Sequence, residues 1–275
     1  MNKPYNKDNT KKIESFYDDR SLEWKNLYEK KLYPSDVAKI QRGEIATLFT
    51  KKYIKKDSKI LDAGCGAGKV ALDIVRNNTI EGIDISKKMI ELCNKEFTDN
   101  KIDKKKYLFR VGNIFELNFE KESYDGIIAL GFLEYQNDEN KSLEFLYNLL
   151  KPNGYLIISG PNNLRLYNFF NLVTVIEKIR QKLNSNKKLD YEVDWESICL
   201  HKYSVMKFRK LLSLNNFKFI DHKQHAYAGL RYVNKFIGIK GQFFLYFIFS
   251  KFFNLIKVSR FADDIVIVAK KGVKN

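Results

Sequence analysis

At 275 residues, 44% hydrophobic and 14% aromatic, the chain is long enough to bury a full core, which excludes a disordered or fibrous protein and suggests one domain with additions. The opening MNKPYNKDNTKKIESFYDD lacks the apolar stretch of a secretory signal, and Cys65, Cys93 and Cys199 lack metal-ligand spacing, so a cytoplasmic protein with reduced thiols and no metal is expected. A formal net charge of +16 suits anionic partners, nucleic acid and acidic lipid among them, but the lysines are scattered from end to end and name none by themselves.

In chain order, ESFYDDRSLEWKNLYEKK (14–31) reads as an amphipathic helix. KILDAG (59–64) is a strand, VALDIVRN (70–77) a helix, and TIEGIDI (79–85) a second strand followed by a helix from Ser86, its N-cap, to Phe97. YLFRVGN (107–113) and YDGIIAL (124–130) are two more strands. Asp138 to Leu150 has helical spacing, KPNG (151–154) is a turn, and YLIISG (155–160) is a fifth strand. A helix capped by Ser204 precedes FKFIDHKQHAYA, and DIVIVAKK (264–271) is the last strand. Strands apolar on both faces, alternating with helices, indicate an α/β, doubly wound fold around a mostly parallel sheet.

Between the first strand and the next helix stand Gly64, Gly66 and Gly68. In an open parallel sheet a ligand sits beside that loop, and glycines let backbone approach it. Neither the dinucleotide fingerprint nor a Walker loop fits the spacing. The pattern is Asp62-Ala63-Gly64-Cys65-Gly66-Ala67-Gly68, which resembles the first motif of class I S-adenosylmethionine-dependent methyltransferases.

That resemblance implies a seven-stranded Rossmann-like sheet and a cofactor, S-adenosylmethionine. Asp62 would lie near the cofactor's amino-acid moiety, and Asp84 would accept from both ribose hydroxyls. Ile85 and Met89 of GIDISKKMI would pack beside ribose and adenine. Asn113 stands where the family often has an Asp, and its amide carbonyl could accept from the adenine amino group. Ile114 would cover the adenine face, and Ala129 and Leu130 would line the cofactor. Tyr17, on an N-terminal helix that in the family lies across the cofactor, could face the sulfonium, while Phe16, Trp24 and Leu27 dock that helix.

For acceptor chemistry, ALGFLEY (129–135) lacks the Asn/Asp-Pro-Pro-aromatic stretch of enzymes that methylate adenine or glutamine, and ALGFLEYQND instead resembles the small-molecule branch, whose relatives act on quinones, sugars and natural products. Glu134 falls where the branch often has His or Glu, with a helix-start acid as the alternative. His201, in CLHKYSVMKF, is the second catalytic candidate, with a hydrogen-bonded structural histidine as the alternative; His222 and His225 rank below it. The expected reaction is methyl transfer to a small-molecule or lipid-linked acceptor, at oxygen. An RNA methyltransferase and a non-catalytic binding module are the alternatives.

The domain division expected is 1–45 lid, 46–228 core, 229–261 insertion and 262–275 last strand. The insertion, with FIGIKGQFFLYFIFSKFFNLIKVSR, is too interrupted to span a bilayer. Wound as a helix, Ser250, Lys251, Asn254 and Lys257 share one stripe, leaving a wide apolar face. With Lys235, Lys240, Lys251, Lys257 and Arg260 nearby, that face would close the site or rest on an anionic membrane; a buried or homodimer-forming helix is the alternative.

Overall fold

The computed structural model describes residues 7–24, 34–164, 195–227, 240–241, 243–252 and 260–273. The apolar runs become β1 Ser58–Ala63, β2 Asn78–Asp84, β3 Tyr107–Val111, β4 Tyr124–Ala129, β5 Leu150–Pro161, β6 Phe217–His225 and β7 Asp264–Lys271. They form one sheet in the order β3-β2-β1-β4-β5-β7-β6. The first five are mutually parallel, and β7 runs antiparallel to both β5 and β6.

Helices cover both faces because successive strand residues point to opposite sides. One layer joins Leu61, Ile127, Ile158 and Ile267 to Leu143 and Leu146 of α5 (Glu139–Leu149) and to Phe208 and Leu212 of the helix Val205–Leu214. The other joins Ile60, Ile128, Ile157 and Val266 to α2 (Pro34–Tyr53), α3 (Lys69–Ile74) and α4 (Lys87–Asp99) through Ile45, Ile74 and Phe97. Strand neighbours such as Ile60 and Leu61 thus serve opposite cores, as the two-sided apolar runs require.

Several details differ from the sequence reading. The N-terminal helix α1 is Lys7–Asp19, beginning at Lys7 rather than Glu14. Helix α2 was not anticipated; Pro34 stands at its first position, where a missing N–H costs nothing. It runs through the division expected at 45. The KPNG turn lies within β5, whose pairing with β4 shifts register between Tyr124 and Gly126, and Asn153 there takes a φ of 65°. Leu27, Lys235, Asn254 and Lys257 lie outside the described residues.

The β1–α3 turn places its glycines in left-handed backbone, with φ of 53° at Gly66 and 76° at Gly68. A Cβ on Gly66 would meet nothing within 4 Å, whereas one on Gly68 would collide with the Cys93 sulfur. Gly66→Ala should therefore cost about 1 kcal/mol, the left-handed penalty alone, and Gly68→Ala about 2–4 kcal/mol because α4 must also move. Urea denaturation of both variants checks the order; equal losses would contradict it.

Candidate functional site

The strand order reverses at β1, whose neighbours are β2 and β4, so the crevice beyond its carboxyl end is the switch point of the sheet. The glycine loop is fastened there by the Gly64 and Cys65 N–H groups, which donate to the Ile83 carbonyl at 2.8 and 3.0 Å. Asp84, ending β2, receives the Gly66 N–H on Oδ2 at 2.8 Å and the Ser86 N–H on Oδ1 at 2.9 Å. Ser86 then caps α4, its Oγ accepting from the Met89 N–H at 3.1 Å.

A cavity of about 160 Å³ opens at this point. Of the residues expected to hold a ligand, Tyr17, Asp62, Gly64, Gly66, Asp84, Ile85, Met89, Asn113, Ile114 and Leu130 line it. Gly68 and Ala129 do not; Gly68 acts through its packing on Cys93, and Ala129 is fully buried in the core. Asn113 spends one lone pair of Oδ1 on the Phe115 N–H at 3.1 Å, keeping one for a ligand.

Burial pushes the Asp62 carboxyl up to about 7, and the nearby Asp84 charge adds to it. Asp84 rises to about 6 through burial, against the lowering effect of the N–H groups of Ser86 and Gly66. Two acids beside one cavity, Asp62 buried and Asp84 half-buried, favour a ligand that brings positive charge and hydroxyl donors.

Helix α1 covers the crevice. Asp18 accepts from Ser86 Oγ at 2.5 Å, tying α1 to the turn that holds Asp84. Tyr17 and Tyr135 join their hydroxyls at 2.7 Å, and the Trp195 indole N–H donates to Tyr135 Oη at 2.9 Å. Phe16 packs with Tyr135 and Ile198, and Trp24 lines the cavity with the Lys39 ammonium 4.9 Å from its ring centroid.

The two catalytic candidates lie off the cavity. Glu134 is fully buried in the short 3₁₀ turn Leu133–Tyr135, where burial lifts its carboxyl to about 7 and Arg42 pulls it back. The His201 Nε2–H donates to the Gln136 carbonyl at 2.8 Å, and Nδ1 lies 3.6 Å from Glu139 Oε2. Main-chain bonds, not side chains, bring the two together: the Leu200 and His201 N–H groups donate to the Glu134 carbonyl. His225 is buried 3.9 Å from Asp264, its ring driven down to about 3 by burial and by Arg42.

Sequence reasoning missed Arg42, Lys39 and Gln136, all of which line the cavity. Arg42 is held by Asp264 Oδ2 at 3.4 Å. Lys39 and Arg42 stand one turn apart on α2, and the apolar rhythm of Val37, Ile40, Ile45 and Phe49 after Pro34 was the available signal for that helix.

The family described as "Methyltransferase domain" matches residues 54–228. A malonyl-[acyl-carrier protein] O-methyltransferase of Priestia megaterium is 28% identical over 132 residues, which are 47% of this chain and 46% of the relative. A ubiquinone biosynthesis O-methyltransferase of Pelagibacter ubique is 29% identical over 66% of this chain and 75% of its own. Alignments with the first three relatives span less than half of each relative's length, 46%, 47% and 43%. Among solved structures, magnesium protoporphyrin IX methyltransferase of Synechocystis with bound SAH aligns at a TM-score of 0.62 and 16% identity, covering 94% of this chain and 98% of that one, a likeness of fold.

With Asp62 raised to about 7, the folded state keeps a proton that the unfolded chain releases near ~4. That contribution to stability is complete below about pH 4 and is lost as pH rises through about 7. Asp62→Asn cannot ionise, so its stability relative to wild type should climb across this window and level off above it. Thermal denaturation of both proteins in a pH series checks this; a gap independent of pH would contradict the buried-acid account.

Proposed function

Because the chain belongs to the methyltransferase-domain family, we propose that it transfers a methyl group from S-adenosylmethionine to an oxygen of a small-molecule acceptor, free or lipid-linked. The observation that carries this reading is the pair of carboxylates, Asp62 buried and Asp84 half-buried, facing one cavity beside open glycine backbone.

The site fits such a ligand on its own terms. Asp62 has the raised carboxyl that an ammonium group would settle. Asp84 keeps lone pairs free of Gly66 and Ser86 for two ribose hydroxyls. Gly66, with open space where a Cβ would stand, admits a ligand against the main chain. Ile85, Met89, Ile114 and Leu130 offer apolar walls for a purine, and the remaining Asn113 lone pair suits its amino group. Arg42, fixed by Asp264, supplies a cation for a carboxylate. The bound cofactor would supply an electrophilic methyl on a sulfonium sulfur.

The chain's part is then to align an acceptor with that methyl and exclude water, which can supply much of the acceleration. Tyr17, Tyr135 and Gln136 border the space left for the acceptor, under the cover of α1. In this reading Glu134 and His201 act through others: Glu134 balances Arg42, and His201 fixes the Gln136 main chain. The small-molecule acceptor follows the names of the relatives, which include ubiquinone biosynthesis enzymes.

Asp84→Ala should weaken binding of S-adenosylhomocysteine, measured by calorimetry, by about 1–3 kcal/mol, the scale for hydroxyls left unpaired; unchanged affinity would remove the ribose assignment. Wild-type affinity for S-adenosylmethionine should rise as pH passes through about 7, where Asp62 is half ionised, and level off once its ionisation is complete above that. Asp62→Asn should flatten that profile. A screen of candidate acceptors with labelled cofactor, scored by the mass of one methyl group, tests the transfer itself.

A further inference from the structure

Helical residues 240, 241 and 243–252 lie on the body of the protein by one face only. Tyr246 donates its hydroxyl to Gln41 Oε1 of α2 at 3.0 Å, and Phe249, one turn on, packs against the cluster of Tyr227 and Ala262. Across the helix, Lys240, Phe244, Phe247, Ile248 and Lys251 follow one another at helical spacing and form a single stripe. Phe244 is 63% exposed, Phe247 64% and Ile248 41%, and both lysines are exposed. Phe252, 52% exposed and one turn past Ile248, lies beside the stripe, so four large apolar side chains of this helix face outward, flanked by two cations.

We propose that this stripe seats the protein on the surface of an anionic lipid bilayer. The phenyl rings and Ile248 would enter the boundary between headgroups and acyl chains, while Lys240 and Lys251 extend along them to acidic headgroups. Charge decides the occupant. A chain of net charge +16 repels its own copy, and two stripes laid together would oppose lysine to lysine; an acidic bilayer attracts each of them. No helix among the described residues is long and apolar enough to cross a membrane. Gln41, which anchors the helix, adjoins the cavity-lining Arg42, so the docked face and the ligand site share helix α2. The inference goes beyond the methyl-transfer reading and stands without it.

Flotation of the full chain with vesicles of phosphatidylcholine alone, or of phosphatidylcholine with phosphatidylserine, at low and high salt tests the proposal. The protein should float with the acidic vesicles at low salt and remain behind with neutral vesicles or at high salt, where the screening length falls. Lys240→Gln and Lys251→Gln should each weaken partitioning about fivefold, and Phe244→Ser with Phe247→Ser about tenfold or more. Far-ultraviolet circular dichroism and melting temperature, measured in parallel, should be the same in every variant, which separates a lost surface from a lost fold. Failure of wild type to float with acidic vesicles at low salt would overturn the proposal. So would sedimentation showing a dimer that the Phe244→Ser/Phe247→Ser pair dissociates.

Discussion

The site depends on a single electrostatic constraint: two carboxylates, Asp62 buried and Asp84 half-buried, brought together at the ends of adjacent parallel strands. Register places Asp62 opposite Gly82, two residues before Asp84, so the pairing of β1 with β2 brings the acids to one crevice. Neither can be solvated well, and each raises the cost of ionising its neighbour. The surrounding main chain answers for Asp84, through the N–H groups of Gly66 and Ser86. Asp62 is pushed up by burial and by the Asp84 charge alike, and it is the acid left nearest neutrality. A cationic ligand relieves that strain in charge, which links the stability of the free protein to the affinity of the site.

The same hydrogen bonds connect the cover to the floor. Ser86 caps α4 with one lone pair and donates its proton to Asp18, so the turn that positions Asp84 also holds α1 in place. On the other side of the crevice, Tyr17, Tyr135 and Trp195 form a hydrogen-bonded row that ties α1 to the turn after β4 and to the short helix Trp195–Ile198. Burial drives the phenols of Tyr17 and Tyr135 well above their usual range, keeping both as neutral donors. Arg42 reaches the crevice from α2 with Asp264 of β7 behind it, so the antiparallel last strand also serves the site.

Much of this was legible in the sequence because it is written in backbone. The glycine spacing, the strand-end acids and the alternation of elements are local patterns, and a parallel sheet leaves little freedom in where they converge. What could not be read is which distant side chains arrive. Arg42, Lys39 and Asp18 come from helices far from the motif in sequence, and nothing near them marks their destination. His201 drew notice for its proton chemistry, yet its ring is committed to the Gln136 carbonyl, a bond no local pattern announces. For residues 240–252 the sequence showed an amphipathic segment with an apolar face too wide to assign. Packing of Tyr246 and Phe249 against the body decided which of those aromatics face outward.

The central claim is that this crevice is built for an S-adenosyl sulfonium ligand rather than a pyrophosphate-bearing one. Titrating the wild-type protein with S-adenosylmethionine and with NAD, side by side in one calorimetric experiment, tests it most directly. Saturable binding of S-adenosylmethionine with no detectable heat for NAD is the result predicted. Binding of NAD in preference to S-adenosylmethionine would contradict the account.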